Sequence, residues 1–141
     1  MEISGIVKVD SRGRILIPST VRAGIGLAKG MYVMIHADTE KREIRVVPLA
    51  GPKAKLVSSR MTISDVPGAL ARVASIMAKH GVDLLSSQSR TLERGRTAEW
   101  IAVGDVSECK ASLKSLREAL EKEGSATDVK FERLERSPTS S

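Results

Sequence analysis

Four basic side chains in the first 22 residues, Lys8, Arg12, Arg14 and Arg22, are the first whose type and spacing suggest a chemistry. Three of them fall in Gly5–Pro18, GIVKVDSRGRILIP, where two apolar runs flank a turn of Asp10, Ser11, Arg12 and Gly13. That pattern reads as a short hairpin with a cationic tip, and Gly13 supplies the positive φ the turn needs. Cations at several points on one face suit the phosphates of a nucleic-acid duplex, because each of them displaces condensed counterions. Arginine adds a forked donor geometry that fits guanine edges.

Most other chemistries lack their residues. Cys109 is the sole cysteine, so no intrachain disulfide and no thiolate metal site can form. His36 and His80 stand far apart without ligand spacing, and neither a glycine-rich phosphate loop nor a paired-carboxylate constellation is present. No metal site, cofactor or catalytic machinery is therefore expected, and we read the chain as a non-enzyme. Tyr32, Trp100 and Phe131 are the only aromatic residues, too few for a platform that stacks single-stranded bases. No apolar stretch approaches the ~20 residues of a membrane span, and Met1 is followed by Glu2 rather than by a signal sequence. A cytoplasmic, unprocessed protein is expected.

The 141 residues carry a formal charge of +6, shared evenly: residues 1–50 hold 8 basic and 5 acidic side chains, and the rest hold 15 and 12. Charge placement, not net charge, must therefore carry any argument about partners. In the first half, Ile3 to Val9 and Ile15 to Ile17 read as paired strands. Ser19 caps a single helical turn over Thr20 to Ala23, ahead of Gly24 and Gly26. Tyr32 to His36 and Ile44 to Val47 read as two more strands around a turn at Asp38 to Lys41. A unit this small buries too little surface to stand alone without metal or disulfide, so an obligate dimer is expected. A two-fold axis would double the four cations on one face.

The stretch KVDSRGRILIPSTVRAGIGLAKG resembles the AbrB/MazE/SpoVT family over about Ile3 to Pro48. The resemblance implies a swapped-hairpin β-barrel formed by a dimer, binding duplex DNA through its basic residues. Arg14 matches the arginine of the Gly-Arg pair, Arg22 the first helix arginine and Lys8 the basic residue of the first strand, while Arg12 is an additional cation on the turn. Where some members carry a second helix arginine, this chain has Ala23.

Leu49 to Lys55 lacks periodicity and reads as a linker. Beyond it, Lys55 to Ile63 alternates as a strand, with Val57, Ser59, Met61 and Ile63 on one face. Asp65-Val66-Pro67-Gly68 reads as a turn opening a helix. Pro67 lies near the first helical position, and Asp65 is placed to accept from the free amides there. Leu70, Val73, Ala74 and Met77 recur on one helical face, and Gly81 ends the helix after His80, a cation or partial cation at the C-terminus. Val82 to Leu92 and Thr97 to Val103 read as strands around the turn Glu93-Arg94-Gly95-Arg96. Ser86 to Arg90 is unusually polar for a strand, which suits an exposed face or a pocket lining. A second helix is expected from near Ser107, with Cys109, Leu113, Leu116 and Leu120 on its buried stripe, and a last strand from Thr127 to Leu134. Strand-helix-strand-strand-helix-strand is the ferredoxin-like order, with an antiparallel sheet and both helices on one face.

Within this half, SDVPGALARVASIMAKHGVDLLSSQSR looks like an ACT domain spanning about Lys55 to Glu135. The resemblance implies an amino acid bound at a dimer interface by backbone amides of the helix-opening loop. Here those residues are Val66, Gly68, Ala69 and Leu70, with Asp65 bordering the site. A helix N-terminus is a natural place for a carboxylate. Asp83 stands where the family often has asparagine; it can take a ligand's ammonium group but cannot donate to its carboxylate.

The expectation is thus an α+β chain with a DNA-binding domain at 1–49, a linker at 50–54, an ACT-like sensor at 55–135 and a disordered tail at 136–141. Its expected function is transcriptional regulation, with double-stranded DNA and a small molecule, in all expectation an amino acid, as partners of a homodimer or higher homo-oligomer. The alternatives are an antitoxin-like protein-interaction module and a regulatory subunit of an amino-acid pathway enzyme.

Overall fold

The structure, a computed structural model, describes residues 1–134; the expected tail at 136–141 lies outside them. Two compact units are present, Met1–Pro52 and a second beginning at Lys53.

The first unit forms helix α1 (Ser19–Ile25) and the antiparallel hairpin of β1 (Tyr32–Asp38) and β2 (Glu43–Ala50). Two strands replace the four expected from the sequence. Residues 1–17 contain no regular strand, although the turn between their two apolar runs does form: the Asp10 amide donates to the Arg14 carbonyl at 3.0 Å, and Gly13 adopts φ 77°. The chain supplies no strand partner for these runs beyond the tip. The helix also departs from expectation. Pro18, not Ser19, occupies the cap position, and no side chain caps the helix. It continues through Gly24, where a Cβ would lie 2.8 Å from the Ile3 side chain, so the absent side chain makes room for the first arm rather than breaking the helix. β2 runs through Pro48, and the ladder shifts register opposite it, between Tyr32 and Val33; a proline that cannot donate is accommodated at such an irregularity.

The second unit is a four-stranded antiparallel sheet of β3 (Leu56–Ser64), β4 (Asp83–Glu93), β5 (Thr97–Asp105) and β6 (Thr127–Arg133), in the order β4-β5-β3-β6, with helices α2 (Ala69–Lys79) and α3 (Leu113–Lys122). Period-two alternation decides its faces. Met61 and Ile63 on β3 and Ala98, Trp100 and Ala102 on β5 are buried with Val73, Ile76 and Met77 of α2 and with Leu116 and Leu120 of α3. Both helices therefore cover the same side, the arrangement expected from the element order. Ser59 keeps its hydroxyl within this layer by donating to the Ala102 carbonyl at 3.3 Å.

Two helix details correct the sequence reading. Ala69 and Ile76, rather than Leu70 and Ala74, join Val73 and Met77 as the buried residues of α2, and Leu70 is exposed. α3 begins at Leu113, because Ser112 caps it by accepting from the Ser115 amide at 3.1 Å. Cys109 consequently lies before the helix and not on its stripe, half-buried, with its Sγ 3.3 Å from the Ala111 carbonyl.

Candidate functional site

The hairpin tip of the first unit is organised by one carboxylate. Asp10 Oδ1 accepts from the Arg12 amide at 2.8 Å and the Arg14 amide at 2.9 Å, and Oδ2 pairs with Arg14 Nε at 2.7 Å. These bonds, led by those from Arg14, hold the Asp10 carboxyl below its ordinary value against an opposing desolvation. An aspartate that satisfies local amides makes the turn a defined shape, so Arg12 and Arg14 are presented by a built structure. The Arg14 side chain remains 61% exposed while paired. Lys8 lies on the exposed first arm. Arg22 behaves differently: its Nη1 donates to the Ile17 carbonyl, and the residue is partly buried, so it ties α1 to the second arm. Of the four sequence-predicted cations, three stand on the arms and tip, and the fourth is engaged with backbone.

In the second unit the turn before α2 adopts the expected position but uses Asp65 otherwise than expected. Its Oδ2 accepts from the Gly95 amide at 2.8 Å, across the sheet end, and its own amide donates to the Arg96 carbonyl at 3.1 Å. Asp65 therefore latches the β4–β5 turn and does not cap the helix, whose cap is Gly68 without a side-chain bond. Within the turn, the Ala69 amide donates to Val66 O at 3.2 Å and the Gly68 carbonyl accepts from Arg72 at 3.0 Å. Gly68 and Leu70 contribute amides at the helix start, and Val66 and Leu70 are exposed beside them. Asp65, Val66, Gly68, Ala69 and Leu70 are thus brought together.

Asp83 is not. It pairs with Asp105, which also faces Leu56, whereas Ser64 pairs with Thr97 at the other end of the sheet. Eight steps along β3 at ~3.3 Å each put Asp83 roughly 26 Å from the helix-opening turn of its own chain. At the Asp83 end, burial opposes ionisation of Asp105, yet the Ser107 and Lys55 amides hold its carboxyl below the ordinary value. Both bonds are of ordinary length, 2.9 Å from Ser107 and 3.0 Å from Lys55. His80 sits where expected, its Nδ1 2.8 Å from the Ile76 carbonyl at the end of α2.

One cluster escaped the sequence reading. Arg60, Arg90 and Glu99 meet on the sheet face away from the helices. The alternation that buries Met61 and Trp100 already places Arg60 and Glu99 on the opposite face; the missing information was the β4–β5 register, which brings Arg90 opposite Glu99.

An antiparallel βαββαβ sheet with both helices on one side, an exposed helix-opening turn and an open outer face defines a ferredoxin-like domain. Residues 60–125 match the family model of the ACT domain. This supports an ACT domain here and with it a regulatory role in sensing small molecules, often amino acids. Among solved structures, the chain is similar to that of an unknown protein from Galdieria sulphuraria at 13% identity and a TM-score of 0.46, over 66% of this chain and 58% of that one. The chain thus spans less than two thirds of that protein's length. No curated protein matches it. Among the described residues, no helix is long and apolar enough to cross a membrane, and no cluster of three or more His, Cys, Asp or Glu side chains is placed to hold a metal.

Proposed function

We propose that the chain is a homodimeric, non-enzymatic cytoplasmic regulator that binds double-stranded DNA through its first unit and senses an amino acid through its ACT domain. The observation that carries this reading is the state of the first unit within one chain. No residue of Met1–Pro52 is buried, while Ile6, Val9, Leu16, Ile35 and Ile44 are all more than half exposed. Such a segment gains a core from a second copy, and two unpaired apolar arms are what an exchange of hairpins between copies would consume. The Asp10-ordered tip then appears twice, and Lys8, Arg12 and Arg14 of each copy contact phosphates. Arg22 holds the helix to the second arm and acts on DNA by positioning that arm.

In the second unit the amino acid's carboxylate meets the amides around Gly68 and Leu70, where the helix start favours negative charge. Asp83 reaches such a ligand from a neighbouring copy, since its own chain places it at the far end of the sheet. The ligand changes DNA affinity to the extent that it binds two arrangements of the dimer unequally.

Fluorescence anisotropy of the full chain with duplex DNA across a salt series tests the reading, with Arg14→Ala alongside. Each phosphate that a basic side chain ceases to neutralise lowers the slope of log K against log salt by about 0.9. Removing one arginine–phosphate pair per copy therefore lowers it by about 2 in the dimer. Salt-steep binding with that reduction, further altered by an amino acid at fixed salt, supports the proposal. Binding indifferent to Arg14→Ala overturns the DNA role and favours a protein partner.

A further inference from the structure

We infer that the outer face of the ACT sheet carries a second binding site, for a small organic dicarboxylate, centred on Arg60 and Arg90. It is separate from the helix-opening turn and stands independently of that turn's proposed function. Register builds the site. Across the sheet, Gln88, Ile101, Arg60 and Lys130 form one row, and Arg90, Glu99 and Thr62 belong to the next. Arg60, Gln88, Arg90, Glu99 and Ile101 line a depression of about 330 Å³, at the small end of the ~300–1,000 Å³ typical of ligand sites. A second depression of about 250 Å³, lined by Ser58, Arg60, Lys130 and Glu132, adjoins it on the other side of Arg60.

Glu99 sets the geometry. Its side chain is only 16% exposed, and its two oxygens hold different partners, Oε1 with Arg90 Nη2 at 3.1 Å and Oε2 with Arg60 Nη1 at 3.7 Å. One carboxylate thus fixes two guanidiniums side by side, while each keeps most of its five N–H donors for something else. Both arginine side chains are more than half exposed. Charge is unbalanced in the same sense: two cations share one anion, and Lys130 stands directly opposite Arg60 in the ladder. Like charges directly opposed weaken a sheet, and an anion bound between them reverses that effect. Paired guanidiniums match carboxylates by two parallel hydrogen bonds. A second carboxylate on the same molecule reaches across Arg60 toward Lys130, where Glu132 limits the excess of positive charge. Gln88 adds an amide, and Ile101 supplies an apolar wall for the carbon chain.

The test uses the full chain and succinate as probe, at ionic strength held constant with sodium chloride. Calorimetry reads the binding directly, and the fluorescence of Trp100, the chain's single tryptophan, buried on the opposite face of β5, checks that each variant is folded. Saturable binding is expected, weakened tenfold or more in Arg60→Gln and in Arg90→Gln and unchanged in Arg94→Gln on the adjoining turn. Glu99→Gln keeps one acceptor oxygen beside the guanidiniums while removing the competing charge, and is expected to tighten binding several-fold, a gain that an unfolded variant cannot mimic. A response equal to that of chloride, or equal in all four variants, overturns the proposal. Binding of inorganic phosphate with none of succinate overturns the assignment to carboxylates.

Discussion

Gly81 joins α2 to β4 at φ 85°, and a Cβ built on it would lie 2.7 Å from the Glu108 carbonyl oxygen. Gly95, in the β4–β5 turn, has φ 76° but nothing within 4 Å of its Cβ position. Replacing each with alanine separates two costs that usually arrive together. At Gly95 the left-handed conformation alone costs about 1–2 kcal/mol. At Gly81 the same cost is joined by displacement of a backbone carbonyl that cannot swing aside as a side chain can, and overpacking of this kind costs about 1–3 kcal/mol. Gly81→Ala is therefore expected to lose roughly 2–5 kcal/mol in all, about twice the loss of Gly95→Ala. For a unit of about this size each kcal/mol lowers the melting temperature by roughly 4–8 °C. Thermal unfolding followed by Trp100 fluorescence reads the second unit alone, since the chain has no other tryptophan. Equal melting temperatures for the two variants would refute the claim that the segment around Glu108 is seated against Gly81.

Leu120 is fully buried between α3 and the sheet, and Leu120→Ala is expected to cost about 2–5 kcal/mol in urea unfolding followed at Trp100. The hydrogen bonds from Arg14 and Arg12 hold the Asp10 carboxyl below its ordinary value in the folded tip, so its contribution is present above the unfolded value and lost as pH falls through the folded one. Amide resonances of Arg12 and Arg14 are accordingly expected to hold steady down to about pH 4 and to shift together below it, and Asp10→Asn is expected to abolish that shared transition.

The sheet of the second unit is legible in the sequence because burial alternates along the whole of β5 and along β3 from Val57 onward. Leu70 falls outside the core although its spacing fits, because helical spacing marks a stripe without giving its centre; Ala69 and Ile76 show the stripe rotated by about one residue. The start of α3 lies later than the apolar spacing suggests, since Cys109 fits that spacing whereas Ser112 is the residue whose hydroxyl accepts from the helix amides. Residues 3–17 carry strand-forming side chains whose ladder partners the single chain does not provide. Propensity states a preference there and cannot supply the ladder partner that the preference needs. Asp65 is marked by its sequence as a residue that takes an amide, but its partner, Gly95, lies 30 positions away. Separation of Asp83 from the helix-opening turn follows from strand direction, which the element order already contains.

β3 is anchored at both ends as well as along both sides. Before its first residue, Lys55 gives its amide to Asp105 and takes one from Val106 at 2.8 Å; after its last, Asp65 holds Gly95 and Arg96. Between these points it is flanked by β5 and β6. A strand held in this way neither stretches nor bends cheaply. It is a braced span roughly 26 Å long, with the helix-opening turn at one tip and Lys55 at the other. Its two tips are therefore held in register with each other by the same ladders.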